Sequence, residues 1–489
     1  MKEINTSRLL RYGLLFYFLI PYFIFLFYFK FTTDINFSEL LWALKNSVTQ
    51  STLTALIVVT LSIPLSLGLL LLPEAWQSFV KRLLIIPQIL PALYSILIAF
   101  SILNPFPMGT QGIVFVFVLI DLGFATLMTL AATQEKLGNL SLIGEVYSIG
   151  RSKFFAKVYF PLLKQDLMIN FFIIFIFCLS SFSIPLIVGG GKGTNLEVLI
   201  YEKIFVEQNW SAAFSLCVFQ SLAIFLLSLF VLKNKHKDAE PFLAGSYLKS
   251  YIGLLVIIGY LSLYLGGYFV GLVKSFDYLS FAYMYVWDLA EAAKFTTKAL
   301  IVYLLINFSL LGLWLYDYLI NKKFNLATNL ISVSTVLVGF SFYLLFPVTE
   351  AYDLIKITVA MSILFFPSLF KLFLQKPIED LKQQILVAEI CGLSKVQIII
   401  EIIFRQISKQ MFLWISFLVV WFISEYAVLK SLGVQTQTLG LVTEGFLSSY
   451  RLPLAYLMSF FILIYWAIAL LFIYYILRVA YVAYKKFTY

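Results

Sequence analysis

The chain predicts an all-α membrane protein with about twelve transmembrane helices, arranged as two parallel copies of one unit. Three observations carry this. Of 489 residues, 62% are hydrophobic and 12% charged, with mean hydropathy +0.95; a soluble domain is roughly half apolar and about a quarter charged. Slid against itself by 244 residues, the sequence matches: Leu142, Glu145 and Phe160 fall on Leu386, Glu389 and Phe404, and Ser180, Gly189 and Thr194 on Ser424, Gly433 and Thr438. Apolar coincidences are cheap in such a chain, but Glu, Gly, Ser and Thr at one offset are not, and an internal repeat decides architecture. Finally, segments between alternate spans hold most of the Lys and Arg, while the acids divide evenly. That is the positive-inside pattern, and it predicts both termini in the cytoplasm.

In order, Lys2, Arg8 and Arg11 precede a first apolar run at 12–29, long enough to cross a bilayer at ~20 residues and read as an anchor because no small-residue cleavage site follows. Spans follow at 46–72, 83–104, 112–133, 167–188 and 211–232. The second set is at 251–273, 299–320, 328–346, 355–375, 411–430 and 454–477. Pro64, Pro87, Pro91, Pro185 and Pro367 are expected to bend or end helices. The first repeat is 1–235 and the second 251–489, joined by a polar linker at 236–250 containing His236, the sole histidine. Because six spans preserve orientation, the repeats are parallel copies about an axis along the membrane normal.

The two longest polar-bearing loops, 134–166 and 376–410, are predicted to be cytoplasmic. Each reads as helix, sharp turn, helix, with Ser148 and Gly392 at the turn, where a small residue permits the bend. Phe154, Phe155, Val158, Val396, Ile399 and Ile403 suggest a sticky face, and Lys153, Lys157 and Lys395 a solvated one. The alternative is an amphipathic loop lying on anionic lipid.

Other chemistry is sparse. Cys178, Cys217 and Cys391 are scattered, so neither a disulfide framework nor a metal site is predicted, and the net charge of +10 follows topology instead of marking a nucleic-acid partner. GGGKGT at 189–194 is not a phosphate loop, which needs Gly, four residues, then Gly-Lys-Ser/Thr; here Gly193 follows Lys192. No nucleotide site is visible. Asp121 and Glu425 are acids in or at the rim of spans, where carboxylates are costly and usually face a cavity or partner. With Ser181 and Ser424 they are candidate pathway residues, Ser181 and Glu425 being repeat equivalents; the alternative is structural hydrogen bonding.

The loop at 376–410, with Ala388 and Glu389, then Gly392, then Ile402 and Phe404, resembles the "EAA" loop of ABC-importer permeases, Arg405 standing where that motif has Pro. The first loop has Glu145, Ser148 and Gly150 and keeps Pro161. CLSSFSIPLIVGGGKGTNLEVLIY from Cys178, IIPQILPALYSIL from Ile85, SEYAVLKSLGVQTQTLGLV from Ser424 and Ser449-Tyr450-Arg451 with Ala455 are similar to segments of fused thiamine and ferric-iron permeases. The resemblance implies a two-in-one permease of the type I importer fold in a bacterial inner membrane. Its partners would be a homodimeric ATPase, which alone uses ATP and Mg, and a periplasmic solute-binding protein. It implies ATPase coupling at Glu145, Ser148, Gly150, Pro161, Ala388, Glu389, Gly392 and Arg405, and binding-protein contact at Gly189, Gly190, Gly191, Tyr450 and Arg451. The chain would form a passage for a small cationic solute, thiamine ahead of ferric iron, and carry out no catalysis itself. A twelve-span secondary transporter is the competing class; a membrane enzyme would need a cluster of His, Asp or Glu that is missing.

Overall fold

A computed structural model describes residues 2–28, 36–231, 245–324, 334–347 and 349–488. All regular structure among them is helical. In chain order the first repeat contributes α1 (Lys2–Tyr28), α2 (Phe37–Leu69), α3 (Glu74–Ile89), α4 (Ala92–Ile102), α5 (Thr110–Val146), α6 (Arg151–Phe154), α7 (Phe160–Leu179), α8 (Ser183–Val188), α9 (Leu196–Phe205) and α10 (Trp210–Val231). The second contributes α11 (Tyr251–Ser275), α12 (Leu279–Tyr283), α13 (Val286–Asn321), α14 (Thr335–Leu345), α15 (Glu350–Leu369), α16 (Lys376–Asp380), α17 (Lys382–Ile390), α18 (Lys395–Gln397), α19 (Ser408–Ser424), α20 (Ala427–Ser431), α21 (Leu439–Ser448) and α22 (Leu452–Thr488). Wide-turn π segments at Phe155–Tyr159, Phe370–Gln375 and Ile398–Phe404 join α6 to α7, α15 to α16 and α18 onward.

Among the described residues, 8 helices are long and apolar enough to cross a membrane, or up to 10 if two bent pairs each count as one. Predicted spans 12–29 and 328–346 correspond to the shorter apolar helices Leu9–Ile24 and Thr335–Leu345, and 328–333 lie outside the described residues. The predicted span 83–104 is two helices meeting at 99°, with Pro91 at the start of α4. Pro64, Pro87 and Pro367 sit inside continuous helices; neighbouring groups re-satisfy the backbone a proline frees. Predicted spans 167–188 and 411–430 each run through a break, after Leu179 and after Ser424.

The chain forms two compact units, Thr32–Phe276 and Met1–Phe31 with Asp277–Tyr489. These differ from the sequence repeats in one respect: each repeat's leading helix belongs with the other repeat's core. α11 lies on α2 through two glycines, so closely that a Cβ on Gly253 would sit 1.8 Å from the Pro64 carbonyl oxygen. Tyr264 and Ser95 share a 3.0 Å hydrogen bond and the Tyr260 hydroxyl donates to Leu119 O. α1 instead docks by a ring: Phe18, fully buried, meets Trp314 at 5.5 Å and Phe366 at 6.1 Å, and Ser341 donates to Pro21 O. Sequence adjacency suggested otherwise because the apolar runs of both leading helices carry no address in their periodicity.

The two cores differ in chemistry. In the 32–276 unit, α2, α5 and α7 meet along a polar seam. Ser62 and Thr129 hydroxyls lie 2.8 Å apart, Asn170 donates to Ala125 O and Thr129, and Cys178 donates to Asp121 at 3.6 Å. In the other unit, the residues 244 positions on from Thr126, Thr129, Asn170 and Cys178 are Phe370, Phe373, Trp414 and Phe422. There Trp314 stacks on Phe366 and Phe370 at 4.8 and 5.1 Å, and Tyr303 on Phe422 at 4.5 Å.

Candidate functional site

The Ser148 and Gly392 turns are the same backbone structure. After α5, Tyr147 N–H donates to Ile143 O, Ser148 N–H to Glu145 O and Ile149 N–H to Gly144 O; after α17, Cys391, Gly392 and Leu393 donate to Val387, Glu389 and Ala388 in the same way. This is the Schellman ending, whose residue past the helix is left-handed. Gly392 has φ +80° and Ser148, carrying a side chain, φ +50°. The next helix starts at Gly150, with no side-chain cap, in the first copy. In the second, Ser394 and Gln397 form a reciprocal capping box.

The repeat-matched acids fix each turn to its own unit. Glu145 accepts from Ser246 Oγ at 2.9 Å and from Tyr247 N–H at 3.0 Å. Glu389 pairs with Lys322 at the end of α13. Ala388 is buried beneath its turn. Half of the sticky face expected from the sequence points inward: Phe154, Ile399 and Ile403 are buried, Phe154 against Tyr247 at 5.6 Å, while Phe155 and Val158 are half-buried and Val396 is exposed. The apolar groups that face outward are at the tips, Ile143, Val146 and Tyr147 in one and Val387 and Ile390 in the other, with Val146 80% and Ile390 77% exposed. They follow from i, i+3 spacing on the last turn of α5 and α17. Pro161, in the first turn of α7, continues an unbroken helix from Arg151 to Leu179, whereas in the second copy Arg405 is still helical and the chain breaks two residues on, at Ile407, bending by 87° into α19.

The break after α7 or α19 also recurs. Ser180 and Ser424 hydroxyls donate to Ile176 O and Val420 O. At the next position Ser181 O accepts from Asn195, and Glu425 Oε1 caps α20 by accepting from Ala427 and Val428 N–H at 2.9 and 3.0 Å. Asp121 is buried against Cys178. Both acids thus have structural partners.

Gly189 is buried, and Gly190 and Gly191 form an exposed turn at φ +53° and +71°. The turn is tied to α2 where Gln50 donates to Gly193 O and Asn46 to Thr194 O. Asn195 caps α9 as Thr438 caps α21, so Asn195, and not Thr194, is the counterpart of Thr438. Ser47 accepts from Leu196 N–H and Thr296 from Leu439 N–H, an interval of 249 residues at α2 and 243 at α9. The repeat is therefore gapped, with 244 holding at the turns. Lys203 ties α9 to α2 through Glu39 at 2.5 Å and to Glu207 at 2.7 Å; burial pulls its pKa down, but these two acids outweigh that and leave it raised. Tyr450 is exposed at φ +57°, and Arg451 donates to the Tyr285 hydroxyl.

Sequence reasoning missed the enclosed pair Asp353–Lys356 at 3.4 Å, whose Asp353 also accepts from Gln435 and Thr436. Lys356 inside a predicted span was the available signal, since charge at that depth needs a partner. Beside it a polar cavity of about 540 Å³ is lined by Asp288, Glu291, Lys294, Lys298, Glu350 and Gln435, among others. Among the described residues no group of three His, Cys, Asp or Glu could hold a metal ion.

No family model and no solved structure matches the chain. It is similar to the thiamine transport system permease proteins ThiP of Brucella abortus and Brucella suis, at 26% identity over 227 residues, 42% of this chain and 41% of each relative; the Brucella melitensis protein matches equally. The matched stretch spans about two fifths of these relatives' length. The resemblance to thiamine permeases read from the motifs is borne out over that stretch.

Proposed function

We propose that this chain is the two-in-one permease subunit of an ATP-driven importer, and that its solute is a small organic cation, most simply thiamine. The observation that carries the reading is the pair of identical turns with apolar tips. A motor protein that pushes on a membrane bundle needs rigid footholds, and each turn is fixed by its Schellman bonds and by its acid, Glu145 or Glu389. Val146, Tyr147, Val387 and Ile390 then offer apolar area, at about 25 cal/mol per Å² buried, to grooves on a dimeric ATPase. With both termini in the cytoplasm, the turns face that ATPase. The Gly189–Gly191 turn and Tyr450–Arg451 face a periplasmic binding protein, which delivers the solute. ATP and Mg act on the partner. The thiamine relatives favour thiamine over ferric iron.

The test is purification of the tagged chain with a co-expressed ABC ATPase from the same genome. Replacing Val146 and Ile390 by Asp, or Ser148→Asp with Gly392→Asp, is expected to abolish co-purification and labelled thiamine uptake while the chain stays in the membrane. No co-purification with the unaltered chain would favour a secondary transporter, and co-purification indifferent to both pairs of changes would remove the turns as the docking site. Competition of uptake by thiamine, with none by chelated iron, fixes the solute class.

A further inference from the structure

The first repeat carries an apolar groove on α7, and we propose that it binds one anionic phospholipid. An apolar groove of about 530 Å³ runs along the outer face of α7, lined by Ala156, Phe160, Pro161, Leu167, Met168 and Phe171, with Lys164 as its one charged residue. From Phe160 to Phe171 it measures roughly 16 Å at ~1.5 Å per residue, about half of a ~30 Å hydrocarbon core, which is one leaflet. Lys153, Lys157 and Lys164 are all exposed. At spacings of four and seven they share one face of the helix, and no carboxylate lines the groove. Side chains on a helix lean toward its N-terminus, so Lys157 and Lys164 both direct their ammonium groups up α7 toward headgroup level, roughly 10 Å apart at ~1.5 Å per residue.

The occupant must therefore combine an acyl chain with a negative headgroup. A zwitterionic lipid would fill the channel and leave the lysines against a neutral surface. In the second repeat the equivalents of Lys153, Lys157 and Lys164 are Gln397, Glu401 and Ser408, and the helix breaks at 87° where the groove would run. The second repeat has exposed basic residues at Arg405 and Lys409 instead, in the places of Pro161 and Gln165 and beside the bend. This inference needs the chain to span a bilayer but not the ATPase reading, so the two fail separately.

The test places the full chain, without any ATPase, in phosphatidylcholine nanodiscs carrying trace spin-labelled phosphatidylglycerol or spin-labelled phosphatidylcholine, and compares the immobilised fractions. Each lysine near an anionic lipid is worth about fivefold. Phosphatidylglycerol is expected to be preferred on the order of tenfold or more at low salt, and the preference to fall as salt rises. Lys157→Gln with Lys164→Gln should reduce it to the phosphatidylcholine level, while Lys157→Arg with Lys164→Arg keeps it, which separates charge from misfolding. Equal immobilisation of both lipids by the unaltered chain, or a preference that survives the double Gln change, overturns the proposal.

Discussion

The Ser148 and Gly392 turns agree hydrogen bond for hydrogen bond, yet the helix cores beneath them differ at equivalent positions. Thr126, Thr129, Asn170 and Cys178 in one answer to Phe370, Phe373, Trp414 and Phe422 in the other, while each keeps a buried polar contact, Ser62–Thr129 and Asn307–Ser362. The difference separates two kinds of constraint. A core has only to fill its volume and satisfy its polar atoms, and either solution does so. A turn that must present the same surface twice has to keep its backbone, and the interval of 244 residues is kept there even though it drifts to 249 and 243 elsewhere. What the halves do in common is accordingly in the turns, and what they do differently is in the cores and in the face of α7.

Core exchange is the harshest way to break this comparison. Trp414→Ala removes a fully buried ring and should cost about 3–5 kcal/mol, whereas Asn170→Ala at the corresponding site strands the Ala125 and Thr129 partners for about 1–3 kcal/mol. Thermal unfolding of the detergent-solubilised chain measures both, and equal losses would mean that the two cores are not alternative solutions. Next in size is the seat of α11: Gly253→Leu should cost about 1–3 kcal/mol or more by overpacking against Pro64. Gly259→Leu, on the same helix with nothing within 4 Å of its Cβ, should stay within about 0.5 kcal/mol. A Gly253 variant as stable as the Gly259 variant would remove α11 from that seat.

The turns should respond with opposite signs. Left-handed backbone costs a residue bearing a Cβ roughly 1–2 kcal/mol, so Ser148→Gly is expected to stabilise and Gly392→Ala to destabilise by about that much, read as paired shifts in unfolding temperature. The same sign at both would show that the turns do not share a conformation. Smallest is the anchoring acid. Glu389→Gln breaks a half-exposed pair with Lys322 worth about 0.2–1 kcal/mol and screened by salt. Glu145→Gln weakens two hydrogen bonds, one from the Tyr247 backbone, and should change little with salt.

Much of the candidate site was legible because its signals are local. A small residue followed by a capping position gives away a helix reversal, and Ser148 and Gly392 needed no partner to be seen. Long-range placement was not legible. Phe154, Ile399 and Ile403 looked like an outward face, yet they are buried, because amphipathic spacing says that a face is apolar and not what covers it. Glu425 reads in the sequence as a pathway acid, and its cap on α20, made with backbone two and three residues on, is not foreseen there.

The sequence by itself determined the membrane class, the helical content and the two turns, because hydropathy and turn chemistry are properties of short stretches that hold whatever the neighbours are. Only the tertiary structure decided that α1 and α11 each complete the other repeat's core, and that Asp353 and Lys356 share an enclosure. Those outcomes rest on a ring finding its slot at Trp314 and on two glycines allowing backbones to touch, and such complementarity exists only once distant surfaces have met.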